Sequence, residues 1–301
     1  MNKMRFYSDM ALDSFEQSRI NELIEKKQLS SGIVKSSVNL KNAEMAKSIG
    51  KKQGVYVTFE CTKPFFESYQ SKTNLIKALS SAVKEMTLNF GSTRPSVLVV
   101  GLGNEGMTAD ALGPITASKV IVTRHIIESG EGGRDYRSKV ASISPNVLGE
   151  TGVQSFDIVK GVVDAIKPNV VIAIDTLCTS KSKRLFSSFQ LSTAGIAPAS
   201  GVGETRKGFD FATLGVPILA IGVPLVANIR DMMREIMKEY CDNENRELKI
   251  STLEKIVYEK LSGNIIVAPK EIDFVVSECA DVIAEAINLA FCGKRSKATQ
   301  E

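Results

Sequence analysis

PSVLVVGLGNEGMTADALGP, residues 95–114, decides the architecture. Pro95 introduces a run, Val97–Val100, that is apolar without alternation. A strand of that kind is buried on both faces, which places it centrally in a parallel sheet. Gly101, Gly103 and Gly106 then supply a turn, and Asp110 falls on the loop before a helix expected over 114–128, with Pro114 in its first turn.

Two further strands read the same way: NVVIAIDT (169–176) and VPILAIGVP (216–224). KVASISP (139–145) as a strand and a helix over Gln154–Ile166 precede the first of them, and SSFQLS (187–192), another strand, stands between the two. Helices are expected at Lys72–Phe90, where Leu75, Leu79, Val83 and Met86 share one side, at Leu225–Cys241 and at Glu271–Phe291. The N-terminal part holds a helix expected over Ser14–Lys27, strands at Ile33–Leu40 and VYVTFE (55–60), and a short helix between them. The alternation predicts an α/β three-layer sandwich with a mixed, mostly parallel sheet. Residues 1–66 are expected as a small β-rich extension and 67–301 as the main α/β domain, unless the two are continuous.

Composition narrows the function. The chain has 301 residues, 43% apolar, and a net charge of +4 from 38 basic and 34 acidic side chains. That balance lacks the basic excess of a nucleic-acid binder. No apolar segment approaches membrane-spanning length and no targeting signal is present, so a cytoplasmic protein is expected. The five cysteines are scattered without metal-ligand spacing, and His125 is the only histidine. A multi-histidine zinc site cannot be built from one such chain.

Ligands of open α/β sheets collect beyond the carboxyl ends of the strands. Asp175, directly after VVIAI, and Asp110 are both expected there. Each has a plainer reading as a helix N-cap. Two carboxylates in one cleft share a proton, so one can act as base toward water and the other as acid toward the leaving group. The glycines fit G-x-G-x-x-G, but Pro114 starts the helix too late and no acidic residue ends a second strand at the required distance. ASGVGETRKG (199–208) offers Ser200, Gly201, Gly203 and Arg206 as a candidate anion or oxyanion loop, with Gly103 and Asn104 as further candidates. An ordinary solvent-facing loop is the alternative. Arg124 and His125, in VTRH, read as the end of a helix, and His125 as structural. Cys178 has no partner histidine, which leaves it a weak nucleophile candidate.

Several strings, in order along nearly the whole chain, resemble the germination protease family of spore-forming bacteria. They are IGKKQGVYVTFE, LVVGLGNEGMTADALGP, VTRH, GETGVQSFDIVKGVVDAIKPNVVIAIDTL, SGVGETRKG, TLGVPILAIGVP and APKEIDFVVSECADVIAEAINLA. The resemblance implies a phosphorylase/hydrolase-like sandwich shared with hydrogenase maturation peptidases. It implies an endopeptidase that degrades small acid-soluble spore proteins and is made as a zymogen. A homotetramer without cofactor, in the spore core or forespore, is implied as well. The family's proposed catalytic aspartates match Asp110 and Asp175. Its processing site resembles YSDMALDS (7–14), with the cut expected between Asp9 and Met10. The stretch before SGVG, GIAPAS, lacks the histidine that the family commonly has there. Two alternatives stay open: a metal-dependent maturation-type peptidase, and an inactive paralogue that binds the spore proteins without cutting them.

Overall fold

Val97–Val100 form the heart of β4 (Ser96–Gly101), whose side chains are buried on both faces as their unbroken apolarity requires. The computed structural model describes residues 8–18, 20–29, 32–88, 90, 94–130, 137–196, 207–243 and 265–292. Ser200, Gly201, Gly203 and Arg206 lie outside the described residues.

Around β4 the chain builds one mixed sheet. Its strands are β1 (Glu25–Gln28), β2 (Ile33–Leu40), β3 (Gly54–Cys61), β5 (Lys139–Ile143), β6 (Val170–Thr179), β7 (Ser188–Ser192), β8 (Ile218–Asn228) and the two-residue β9 (Ile266–Val267). The order is β1-β2-β3-β7-β8-β6-β4-β5, with β9 on β8. The block β8-β6-β4-β5 is parallel, and pairing is antiparallel from β8 through β7 to β1. The strands of the N-terminal extension are thus hydrogen-bonded to the rest of the sheet through β3 and β7.

Helices cover both faces, which makes three layers. On one face α3 (Tyr69–Leu88), α4 (Leu112–Lys119) and α10 (Ile272–Phe291) pack on Val97, Val99, Ile172 and Ile174. On the other, α7 (Ser155–Ile166) contributes Val159 and Val163 against Leu98, Val100, Val171 and Ala173. Farther along that second face, α1 (Ala11–Gln17) and α2 (Ala43–Ser48) pack on Val38, Leu40 and Tyr56. Among the described residues, the remaining α-helices are α5 (Arg124–Ser129), α6 (Leu148–Thr151), α8 (Phe211–Leu214) and α9 (Ile229–Asn243). Among the described residues, no helix is long and apolar enough to cross a membrane.

Four expectations are corrected. The helix expected over Ser14–Lys27 is α1, which begins earlier and ends at Gln17; after a short 3-10 turn the chain pairs as β1. The helix expected over 114–128 breaks between α4 and α5, because the Asn288 side chain takes the Ile121 N–H and the Ser138 carbonyl takes the Thr123 hydroxyl. Arg124 and His125 therefore open α5 and do not end a helix of their own; Arg124 instead reaches the C-terminus of α7, where it donates to the Ile166 carbonyl. Residues 225–228, expected to start a helix, complete β8.

Candidate active site

β4 pairs with β6 only through Gly101 and Ile174, and β6 then runs on beside β8 alone. Asp175 is the first residue past that last β4 pairing. It sits at the carboxyl end of β4 yet inside β6, so it is neither a strand-terminal residue nor a helix cap. The ladder fixes its backbone rigidly. Across β8 it faces Gly222, and Gly222 in turn faces Gln190 of β7.

Asp110 is brought to the same end by a tight loop. The Leu102 N–H donates to the Ile174 carbonyl at 2.8 Å, continuing the β4–β6 ladder by one bond. Gly103 then adopts φ +113°, and a Cβ there would stand 2.0 Å from the Asp110 carbonyl oxygen. Only glycine fits so close an approach in that conformation. The Asn104 N–H donates to the Asp110 carboxylate at 2.9 Å, and the Asn104 side chain accepts the Gly106 N–H at 2.8 Å. Asp110 closes a 3-10 turn and does not cap α4, whose N-cap position is Ala111.

Asp175 is 7% exposed, and burial holds its carboxyl well above the usual carboxylate range. The charges of Asp110 and Asp9 raise it further, against a hydrogen bond from the Thr176 N–H at 2.9 Å. The charges of three carboxylates therefore act on one another at this end of the sheet, and burial favours the protonated form of Asp175.

The third belongs to the chain's own N-terminal segment. The Asp9 N–H donates to the Cys178 carbonyl, and the Cys178 N–H donates to the Asp9 carboxylate, both at 2.9 Å. Asp9 so takes the side of β6 that β4 leaves open. Two residues on, the Ala11 N–H donates to Gln190 Oε1 at 2.6 Å. The segment therefore crosses from β6 toward β7, and Met10 between them is fully buried. Lys51 Nζ donates to the Ser8 and Asp9 carbonyls at 3.1 and 3.0 Å.

Asp13 anchors the segment. Its carboxylate accepts the Ser180 N–H at 2.8 Å, the Thr179 hydroxyl at 2.9 Å and the Ser8 hydroxyl, and it pairs with Arg184. Arg184, 1% exposed, also pairs with Glu16 at 2.7 Å and Glu60 at 2.9 Å. Burial pushes Asp13 up, but the Arg184 charge and these donors outweigh it and leave its carboxyl below the usual value.

Sequence reading singled out Asp9, Met10, Asp110 and Asp175, and the fold brings all four to one end of the sheet. It missed Lys51, Asp13, Arg184 and Gln190: Lys51 lies in the turn after a short expected helix, Gln190 in the expected strand SSFQLS, and Asp13 and Arg184 carried no reading of their own. His125 is elsewhere: Arg124 beside it donates to Ser96 and to the Ile166 carbonyl, at the opposite end of β4. Cys178 is near the site, but its thiol is pushed up to about 12, chiefly by burial and then by Asp9, which leaves little thiolate. Among the described residues, no group of three or more His, Cys, Asp or Glu side chains is arranged to hold a metal ion.

The germination protease family model matches residues 3–249. A germination protease of Caldanaerobacter subterraneus is 34% identical over 94% of this chain and 93% of its own length. That of Bacillus mycoides is 33% identical over 91% and 88%. A NiFe hydrogenase maturation protease from Thermococcus kodakarensis overlays with a TM-score of 0.34 at 14% identity, covering 66% of this chain and 97% of its own. The family match over most of the chain, with relatives this similar along nearly their full length, makes the chain a peptidase belonging to the germination protease family.

Proposed function

We propose that the chain is an endopeptidase of spore germination that hydrolyses small acid-soluble spore proteins through Asp110 and Asp175, and first cuts itself between Asp9 and Met10. The observation that carries this reading is the seating of Asp9, the residue before the proposed cut, on Cys178 of the strand that holds Asp175, with the charges of Asp110 and Asp9 both raising buried Asp175.

The roles follow from placement. Asp110 accepts a proton from water, which attacks the carbonyl carbon of the residue before the cut. Asp175, which keeps its proton, gives it to the departing amide nitrogen as the C–N bond breaks. A carboxylic acid and an amine result, the acid's proton passes to the amine to leave a carboxylate and an ammonium, and the proton on Asp110 returns to Asp175 for the next turnover. Gly103 and Asn104 serve in this scheme to hold Asp110. The backbone N–H of Cys178 favours an acidic residue before the cut, because a carboxylate accepts it as Asp9 does. Gln190 takes the N–H of the second residue after the cut, as it takes that of Ala11.

Incubation with a small acid-soluble spore protein, followed by sequencing of the new N-termini, tests the reading. The expected result is cleavage after acidic residues, lost in both Asp110→Asn and Asp175→Asn. Full activity of either variant would sink the aspartate pair; binding without cleavage by the wild-type chain would favour an inactive paralogue.

A further inference from the structure

We propose that Lys51 is a catalytic residue whose ammonium stabilises the oxyanion formed on the carbonyl of the residue before the cut. The inference rests on the reading above that the Asp9–Met10 bond is cleaved.

Lys51 follows α2 in the turn that leads into β3, and that turn is held on several sides. Asn42 caps α2 by accepting the Met45 N–H at 2.9 Å. The Lys51 N–H donates to the Ala46 carbonyl at 2.9 Å, and the Tyr56 hydroxyl donates to the Lys52 carbonyl at 2.7 Å. Lys52 pairs with Asp210. From this fixed base the Lys51 side chain reaches the N-terminal segment, where one Nζ bridges two successive carbonyls. The nearer, at 3.0 Å, is the Asp9 carbonyl, the acceptor that becomes negative when water adds.

Charge makes the contact differential. An ammonium gains modestly from a neutral carbonyl and much more from an alkoxide in the same place. Burial lowers the affinity of Lys51 for its proton, and the Asp9 and Asp13 carboxylates oppose that loss. No covalent change occurs at Lys51. It donates a hydrogen bond while water adds to the Asp9 carbon, and the oxyanion re-forms a carbonyl as the bond to the Met10 nitrogen breaks. In a protein substrate the corresponding carbonyl would meet the same Nζ.

The test follows the appearance of chains beginning at Met10 by mass spectrometry, starting from the full chain. Wild type is compared with Lys51→Met, which keeps length without the charge, and with Lys51→Ala in ethylammonium or tetramethylammonium. Both variants are expected to process at least about 100-fold more slowly, the usual loss on removing one oxyanion donor. Ethylammonium, which has N–H donors, should accelerate Lys51→Ala; tetramethylammonium, which has none, should not. A residue that only pins the segment would show no such difference between the two cations. Processing of Lys51→Met within a few-fold of wild type, or equal rates of Lys51→Ala in the two cations, would overturn the assignment and leave the Asp110–Asp175 reading standing. A wild-type chain that cleaves a spore protein but is never cut at Asp9–Met10 would overturn the self-cut and the Lys51 assignment with it, and leave the aspartate pair to its own test.

Discussion

Asp175 places a carboxyl where solvent cannot stabilise its charge. Its folded-state pKa is raised, first by burial and then by Asp110 and Asp9. Folding therefore favours the protonated form, so the native state binds more protons than the unfolded chain above the ordinary carboxylate pKa. Stability must fall as pH rises from there through the folded pKa. Asp175→Asn removes that cost while keeping size and polarity. Its thermal midpoint should exceed that of wild type at pH 7, with a gain on the order of 1 kcal/mol for each unit of raised pKa. The difference should disappear near pH 3, where wild-type Asp175 is protonated in both states. The same variant should lose cleavage by about a thousandfold or more. A variant less stable than wild type at pH 7 would show that the carboxyl is not a burden to the fold. The pair was legible at this scale because Asp175 interrupts an otherwise apolar run and Asp110 ends a glycine loop. Arg184 was not: nothing in KSKR sets one cation apart, and only the fold reveals that one of them is buried among three carboxylates.

Two close contacts between elements shape this end of the sheet. A Cβ on Gly113, in the first turn of α4, would stand 2.1 Å from the Leu102 carbonyl oxygen and 2.7 Å from that of Ile174. Both contacts are backbone, so α4 would have to move away from the β4–β6 junction. Gly113→Ala should cost about 1–3 kcal/mol, the usual range for overpacking, and displace the Asp110 loop. Denaturant unfolding and the processing rate should both register it; wild-type values in both would refute the tight junction. The anchor of α1 is the second case. Arg184→Met strands buried Asp13 without its cation and should destabilise by about 3–5 kcal/mol at neutral pH. The double substitution Arg184→Met with Asp13→Leu should recover much of that loss, as replacement of a whole buried pair commonly does. Sequence reading located the central elements because their apolar runs are long and bounded by glycine and proline. It failed where tertiary partners decide. The Glu25–Gln28 strand is wholly exposed and carries two lysines, so it has no alternation to read; its state comes from pairing with β2. The break after α4 is imposed by Asn288, far along the chain. Lys51 was hidden for a related reason, since nothing within IGKKQG says which carbonyl its ammonium will reach.

At the scale of the whole molecule, the N-terminal segment and the aspartates belong to one chain and already touch the same strand. Asp9 is bonded to Cys178 through both its N–H and its carboxylate, Ala11 to Gln190, and Asp13 to Arg184 and Ser180. Each bond is made within the chain, so the effective concentration of the segment at the site is set by the fold and not by the solution. Processing at Asp9–Met10 should then be first order, with a rate constant unchanged over a hundredfold range of protein concentration. A chain carrying Asp175→Asn should stay uncut when mixed with active chain, because its own segment fills its own cleft and is not offered to a neighbour. Asp9→Ala should slow the cut by roughly tenfold or more in the same assay. That substitution removes the acceptor of the Cys178 N–H, a charge-assisted bond worth about 1.5–3 kcal/mol; its loss releases the segment from the site, and each 1.4 kcal/mol of lost docking lowers the docked population, and with it the rate, by up to about tenfold. A rate that rises in proportion to concentration, together with efficient cutting of the Asp175→Asn chain by its active partner, would mean that the segment leaves its own site and is processed by another molecule.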